Sequence, residues 1–280
     1  MKNFSLCAFA DEAGESLQEQ ITALKENGIK LLEIRNVDGK NVSDLTEDEA
    51  SKIRAELDKQ NLSVFSIGSP IGKIGIEDDF APHLEKFENT LKIAQILGAK
   101  AIRLFSFYIP KDKNPMDFKD EVIKRLRAFV DLAKNSGIVL CHENEKGIFG
   151  DTAERCEFLH KQIKELKAVF DPANFIQCNQ PTVCAFETLS PYIYYMHIKD
   201  ALEDGTVVES GKGIGEIASL IEKYNGEVLT LEPHLYEFAG LKTLEQEGQL
   251  SGILTTYENN REAFDAGVNA LKGILRGENI

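Results

Sequence analysis

SGIVLCHE, residues 136–143, carries the unit from which the whole chain is built. An amphipathic stretch ends at Ser136-Gly137, an apolar run follows, and the run stops at an acid, Glu143. Gly suits the joint because a left-handed conformation past a helix end carries no Cβ penalty. The same joint recurs at Asn27-Gly28 before IKLLEIR, Gln60-Asn61 before LSVFSIG and Leu97-Gly98 before AKAIRLFSF. Working outward, apolar runs predict strands at 4–10, 31–35, 62–67, 101–105, 138–142, 167–171, 192–197 and 227–231. Helical periodicity predicts helices around 16–27, 46–59, 80–97, 117–135, 152–165, 179–188, 213–224 and 258–275. Strands alternating with long crossovers must pair in parallel. Eight such units close into an α/β fold of the (β/α)8 TIM-barrel type, a single domain over residues 1–280. The sixth unit, PTVCAFETL, is the shortest, and its start is poorly marked. An open doubly wound sheet is the alternative, but the first strand-to-helix turn, AFADEAGES, lacks the GxGxxG that cradles a dinucleotide.

Composition narrows the function. Lys plus Arg (32) against Asp plus Glu (46) leaves a net charge of −14, which repels nucleic acid in the absence of a basic patch. Cys7, Cys141, Cys156, Cys178 and Cys184 are odd in number and show no CxxC spacing, so neither a disulfide framework nor a zinc knuckle is expected. A reducing, cytoplasmic setting follows. MKNFSLCAFADE has the outline of a short signal peptide, but its apolar run fits a first strand better. No apolar stretch reaches the roughly 18 residues of a membrane span.

Four side chains with metal-ligand chemistry stand where four successive predicted strands run out: Glu143, Asp171, His197 and Glu232. In a parallel barrel all strands end at one rim, so these groups are expected to converge there. Taken singly, each has a structural explanation, and Asp171-Pro172 reads as a helix cap. Together, three buried acids raise one another's pKa values unless a cation neutralises them. Oxygen-rich ligands with one imidazole suit one divalent metal ion, Mn²⁺ first, with Mg²⁺, Co²⁺ or Zn²⁺ also able to bind.

The blocks CHENEKGIFGD, FDPANF, YYMHIKD and LTLEPHL, at these intervals, resemble the xylose isomerase-like barrel superfamily of sugar isomerases, epimerases and inosose dehydratases. The resemblance spans essentially the whole chain. It implies that Glu143 and Glu232 bind the metal and exchange protons with substrate, while Asp171 and His197 are ligands only. Apurinic endonucleases share the fold but hold three zinc ions with extra histidines, and five His and a net charge of −14 argue against them. The chain departs from the epimerase pattern at Asn174, where a His is common, and at 201–208, ALEDGTVV, where an Arg is common. Dimers and tetramers are frequent in the superfamily, so a homo-oligomer is open.

The expected chemistry is proton abstraction beside a carbonyl of a sugar or polyol derivative, with two carboxylates acting as base and acid. Isomerisation or epimerisation follows. Loss of a neighbouring hydroxyl from the same enolate gives an inosose-type dehydratase instead, and a non-catalytic sugar-binding barrel is the third reading. Lys199 is expected to touch substrate or steady a ligand carboxylate, or else to pair with Asp200. Arg103 and Glu33 are expected near the rim, pairing with each other or touching substrate. Asn174, Lys146 and His234 complete the candidate substrate contacts, with a structural imidazole the alternative for His234. His142, next to Glu143 on a strand, should face the other way. The Lys-bearing glycine stretches SPIGKIG and SGKGIG do not complete a P-loop, leaving Lys212 only a hint of phosphate binding. Residues 236–256 form a long connection that suggests a lid or a subunit contact.

Overall fold

The structure, a computed structural model, describes residues 2–238, 252–253 and 256–278. Eight parallel strands close a barrel in sequence order: β1 (Ser5–Ala8), β2 (Leu31–Ile34), β3 (Ser63–Gly68), β4 (Ala101–Leu104), β5 (Val139–Glu143), β6 (Lys167–Phe170), β7 (Ile193–Ile198) and β8 (Val228–Leu231). The open-sheet alternative is excluded because β1 pairs with both β2 and β8, Cys7 standing opposite Leu31 and Thr230.

Helices α1 (Leu17–Glu26), α2 (Glu47–Lys59), α3 (Ala81–Leu97), α4 (Lys119–Ala133) and α5 (Ala153–Gln162) fill the first five crossovers. The sixth crossover differs from expectation: it holds two short helices, α6 (Pro172–Gln177) and α7 (Thr182–Leu189), where one was predicted. Asp171-Pro172 starts a helix straight from the strand end, since Pro suits the first helical position and Asp the cap. Then α8 (Ile217–Lys223) and α9 (Asn260–Arg276) complete the ring. Two-residue ribbons, 36–37 with 40–41 and 200–201 with 207–208, are too short to show any periodicity and were not expected. The first strand is also shorter than predicted, giving way to a 3-10 turn at Ala10–Glu12.

Side chains alternate along each strand, and the inward ones fall in layers. Cys7, Phe65, Ala101, Cys141, Val169, Tyr195 and Val228 form one buried cluster inside the barrel. Two residues further on, the same faces carry Phe9, Arg103, Glu143, Asp171 and His197. The barrel is thus closed by apolar groups in its middle and polar at its C-terminal end. All five cysteines are free, and no helix among the described residues is long and apolar enough to cross a membrane. Most of the 236–256 connection lies outside the described residues.

One loop matters for the site. Residues 71–74 run back across the end of β4: Phe105 N donates to Ile71 O (2.8 Å) and Phe107 N to Gly72 O (3.0 Å). Gly72 has φ +91°, and a Cβ there would lie 2.1 Å from Phe105 O. Gly28 has φ +65° with open space around it. Gly72→Ala is therefore expected to destabilise by roughly 2–4 kcal/mol, through strain and backbone overlap together. Gly28→Ala carries only the left-handed penalty, about 1 kcal/mol. Thermal unfolding of the two variants checks this; equal shifts would rule out the close backbone crossing.

Candidate metal and substrate site

The four predicted ligands meet. Glu143, Asp171, His197 and Glu232 each offer one ligand atom, and these atoms lie within 4.8 Å of one another. All four residues are at most 2% exposed. His197 Nδ1 lies 3.0 Å from Glu143 Oε1, 3.3 Å from Glu232 Oε2 and 3.9 Å from Asp171 Oδ2. Asp171 is both a cap and a site residue: Oδ1 accepts from Asn174 N at 2.9 Å, which leaves Oδ2 for the cluster.

The other face of His197 explains its orientation. Nε2 sits 3.2 Å from Glu33 Oε2, and Glu33 Oε1 accepts from the Tyr195 hydroxyl at 2.7 Å and from Ser66 Oγ at 3.2 Å. Glu33 therefore does not pair directly with Arg103; its bonding partners are His197, Tyr195 and Ser66. A carboxylate behind a metal-binding imidazole fixes its tautomer and leaves the opposite nitrogen toward the ion.

Protein cations already balance part of the buried acid. Arg103 Nη1 donates to Glu143 Oε2 at 2.7 Å. Lys199 Nζ lies 3.1 Å from Glu232 Oε2 and 2.9 Å from Asp171 Oδ2. Arg35, which the sequence reading missed, donates from Nη1 to Glu232 Oε1 at 2.9 Å. The accumulation of acids alone therefore does not require a metal. Lys199 is not paired with Asp200; that carboxylate instead accepts backbone N–H groups from Ala201, Gly211, Gly213 and Gly215.

These charges shape the titrations. Burial alone would depress His197, but Glu143, Glu33 and Glu232 outweigh it and hold its pKa well above the usual imidazole value. Burial would raise Glu143, yet His197 and Arg103 bring it down to about 2. For Asp171, burial prevails over the attraction of Lys199 and lifts the carboxyl to about 6. Burial opposes ionisation of Glu232 too, but Lys199, His234 and His197 hold it well below the usual range.

The residues fit a divalent ion. Asp171 Oδ2 is buried and has no hydrogen bond, because Lys199 approaches it without hydrogen-bond alignment. The four ligand atoms lie within 4.8 Å of one another, close enough for one Mg²⁺- or Mn²⁺-sized ion to be shared among them. A second group, Glu12, Glu232 and His234, is equally compact. There the Arg35 guanidinium is the cation, 3.2 Å from Glu12 Oε1, 2.9 Å from Glu232 Oε1 and 3.4 Å from His234 Nε2.

The cleft above the cluster is lined by Lys73, Arg103, Glu143, Glu145, Asn174, Lys199, Glu232 and His234. Asn174 Nδ2 donates to Glu143 Oε1 (3.2 Å) and to Asn144 O (2.9 Å). His234, with φ +47°, returns to the rim, as one of its two expected roles required. Lys146 Nζ lies 3.4 Å from Gln177 Oε1 and does not line the cleft. In its place stands Lys73, from SPIGKIG, 3.1 Å from Glu145 Oε2. Its only sequence signal was a Lys among glycines. Lys212, by contrast, pairs with Glu209 on the surface. His142 faces away as expected, 2.9 Å from Ser106 Oγ, and burial lowers its pKa to about 3.

Comparison with known proteins agrees with this architecture. An uncharacterised protein of Escherichia coli K12, YihM, is 24% identical over 198 residues, which is 70% of this chain and 55% of that protein. The chain thus spans about half the length of that curated relative. D-psicose 3-epimerase of Clostridium cellulolyticum H10, solved with D-tagatose, superposes with a TM-score of 0.71 at 14% identity, covering 97% of this chain and 98% of its own. The IOLI protein, solved with a bound zinc atom, gives 0.72 at 13% identity, with 98% of both chains covered. At these identities the two structures speak for the fold alone. The family description of the xylose isomerase-like TIM barrel matches residues 21–256, and the chain belongs to that family.

Proposed function

We propose that the protein is a divalent-metal-dependent isomerase or epimerase of a small carbonyl-bearing sugar or polyol derivative. The observation that carries this reading is the convergence of Glu143, Asp171, His197 and Glu232 on one buried point at the barrel end. Sugar-processing proteins among the structural neighbours support it, D-psicose 3-epimerase included.

A divalent ion bound there, Mn²⁺ by preference, would act as a Lewis acid toward the substrate's carbonyl and adjoining hydroxyl. The chain supplies the proton transfers. Glu143 and Glu232 both border the cleft, and their pKa values are held low, so both are ionised near neutral pH and each can accept a proton from carbon. Arg103 and Asn174 hold Glu143 from two sides, while Arg35 and Lys199 hold Glu232. This fixes both carboxylates against rotation. Lys199 and His234 also line the cleft, where their donors can meet substrate oxygens. Release of water in place of a stereochemical change would identify the dehydratase reaction, which begins with the same abstraction.

The test is solvent deuterium incorporation into a panel of ketoses and keto sugars, with and without added Mn²⁺, Mg²⁺, Co²⁺ or Zn²⁺. Metal-dependent exchange is expected, with Glu143→Gln and Glu232→Gln each lowering it by roughly 10²–10⁴-fold. Metal binding with no exchange across the panel would mark a non-catalytic barrel.

A second expectation concerns Glu33. Glu33→Gln removes the charge behind His197 while its amide oxygen can still accept from Tyr195, so the fold should persist. Metal affinity measured calorimetrically should fall roughly 10- to 100-fold. In wild type, metal at a hundredfold excess over Kd should add about 2.7 kcal/mol of stability. No change of affinity in Glu33→Gln would mean that the imidazole does not ligate.

A further inference from the structure

We propose that the substrate carries a carboxylate, and that Arg103 receives it through the Nε and Nη2 edge of its guanidinium. This inference rests on the site being one for a small carbonyl compound, and it names the chemical class of that compound.

Arg103 is 3% exposed and lines the cleft. Nη1 is taken by Glu143, whereas Nε and Nη2 make no hydrogen bond among the described residues. Those two nitrogens form one edge of the planar group, with parallel N–H bonds spaced to match the two oxygens of a carboxylate. Leaving buried donors unsatisfied costs about 1–3 kcal/mol each, which a ligand supplying both acceptors would recover.

The same site shows what fills such an edge. Arg35 presents Nε to Asp11 Oδ2 at 2.8 Å and Nη2 to Asp11 Oδ1 at 3.0 Å, a two-point carboxylate clasp. Both guanidinium groups approach the Phe9 ring, at 4.4 Å for Arg35 and 5.5 Å for Arg103. Arg103 also lies 4.7 Å from the Phe105 ring, and Lys73 Nζ is 4.4 Å from that ring. The rings hold the guanidinium plane, and Lys73 adds positive charge beside it. Arg103 thus has ring support like that of Arg35 and a carboxylate on Nη1, but none on its Nε and Nη2 edge.

The rival account is structural: the two rings and Glu143 suffice for Arg103, and neutral sugars bind as well as acids. Calorimetry on the Mn²⁺-loaded protein with two matched pairs decides between them: D-fructuronate against D-fructose, and D-tagaturonate against D-tagatose. In these acids the carboxylate is remote from the keto group, so preference does not arise from chelation by both. Two charge-assisted bonds should make the acid of each pair bind roughly 10- to 100-fold tighter. Arg103→Lys keeps a positive charge for Glu143 but loses the two-point edge, and the ratio should fall to a few-fold. Equal binding of acid and neutral sugar by wild type would overturn the proposal without recourse to any variant. So would a ratio that survives in Arg103→Lys.

Deuterium exchange on the same samples separates the two readings. Arg103-dependent preference for the acids with no exchange would sink the proposed reaction and keep the carboxylate edge. Exchange on both members of each pair at equal affinity would do the reverse.

Discussion

Buried negative charge is the constraint around which the C-terminal end of the barrel is arranged. Glu12, Glu33, Glu143, Asp171 and Glu232 are all at least nine-tenths buried, and no apolar barrel would retain them ionised without compensation. Compensation comes from Arg35, Arg103, Lys199 and the imidazole of His197, each bridging at least two acids or an acid and a ring. Removing one member of such a set leaves another charge unpaired, which typically costs 3–5 kcal/mol. The acids and their partners therefore behave as one unit, and the position of each side chain depends on the others.

Phe9 ties that unit to the apolar layer beneath it. Its ring meets His197 edge-on at 5.2 Å and lies within reach of both guanidinium groups. A ring face attracts cations while its edge and body exclude water. Phe9 and Tyr195, whose ring also meets His197 at 5.5 Å, so join the charged rim to the layer beneath. Low local polarity on that side strengthens the ion pairs above it.

Much of this was legible in the sequence because strand periodicity transmits directly into space. Once GIVLCH, LKAVF, YIYYM and GEVLTL are read as parallel strands, the residues that end them must share a rim, and the convergence of Glu143, Asp171, His197 and Glu232 follows. Asp171 shows why single residues mislead: it is a helix cap and a site residue at once, one oxygen for each task. Arg35 was not legible. It follows β2 as any surface Arg might, and only closure of β1 onto β8 brings Asp11, Glu12 and Glu232 around it. Lys73 depends on a loop crossing set by Gly72, and Glu33 stands opposite Ser66 at the register shift between β2 and β3, neither of which has a period to read.

Lys199 links the charge balance to occupancy. Its ammonium stands by the same Asp171 and Glu232 oxygens that a metal would use, and two cations about 4 Å apart repel by several kcal/mol even at an effective dielectric constant of 20. An ion held by Glu143, Asp171, His197 and Glu232 would repel Lys199 toward the cleft that it already lines. The chain's net charge of −14 does not contradict a cleft suited to an anion. Charges farther away than a Debye length, about 8 Å at physiological salt, are screened, so approach is governed by the bulk surface but contact by the few groups within reach. At contact those groups are Arg103, Lys73 and Lys199, each paired with a carboxylate of the same lining: Glu143, Glu145 and Glu232.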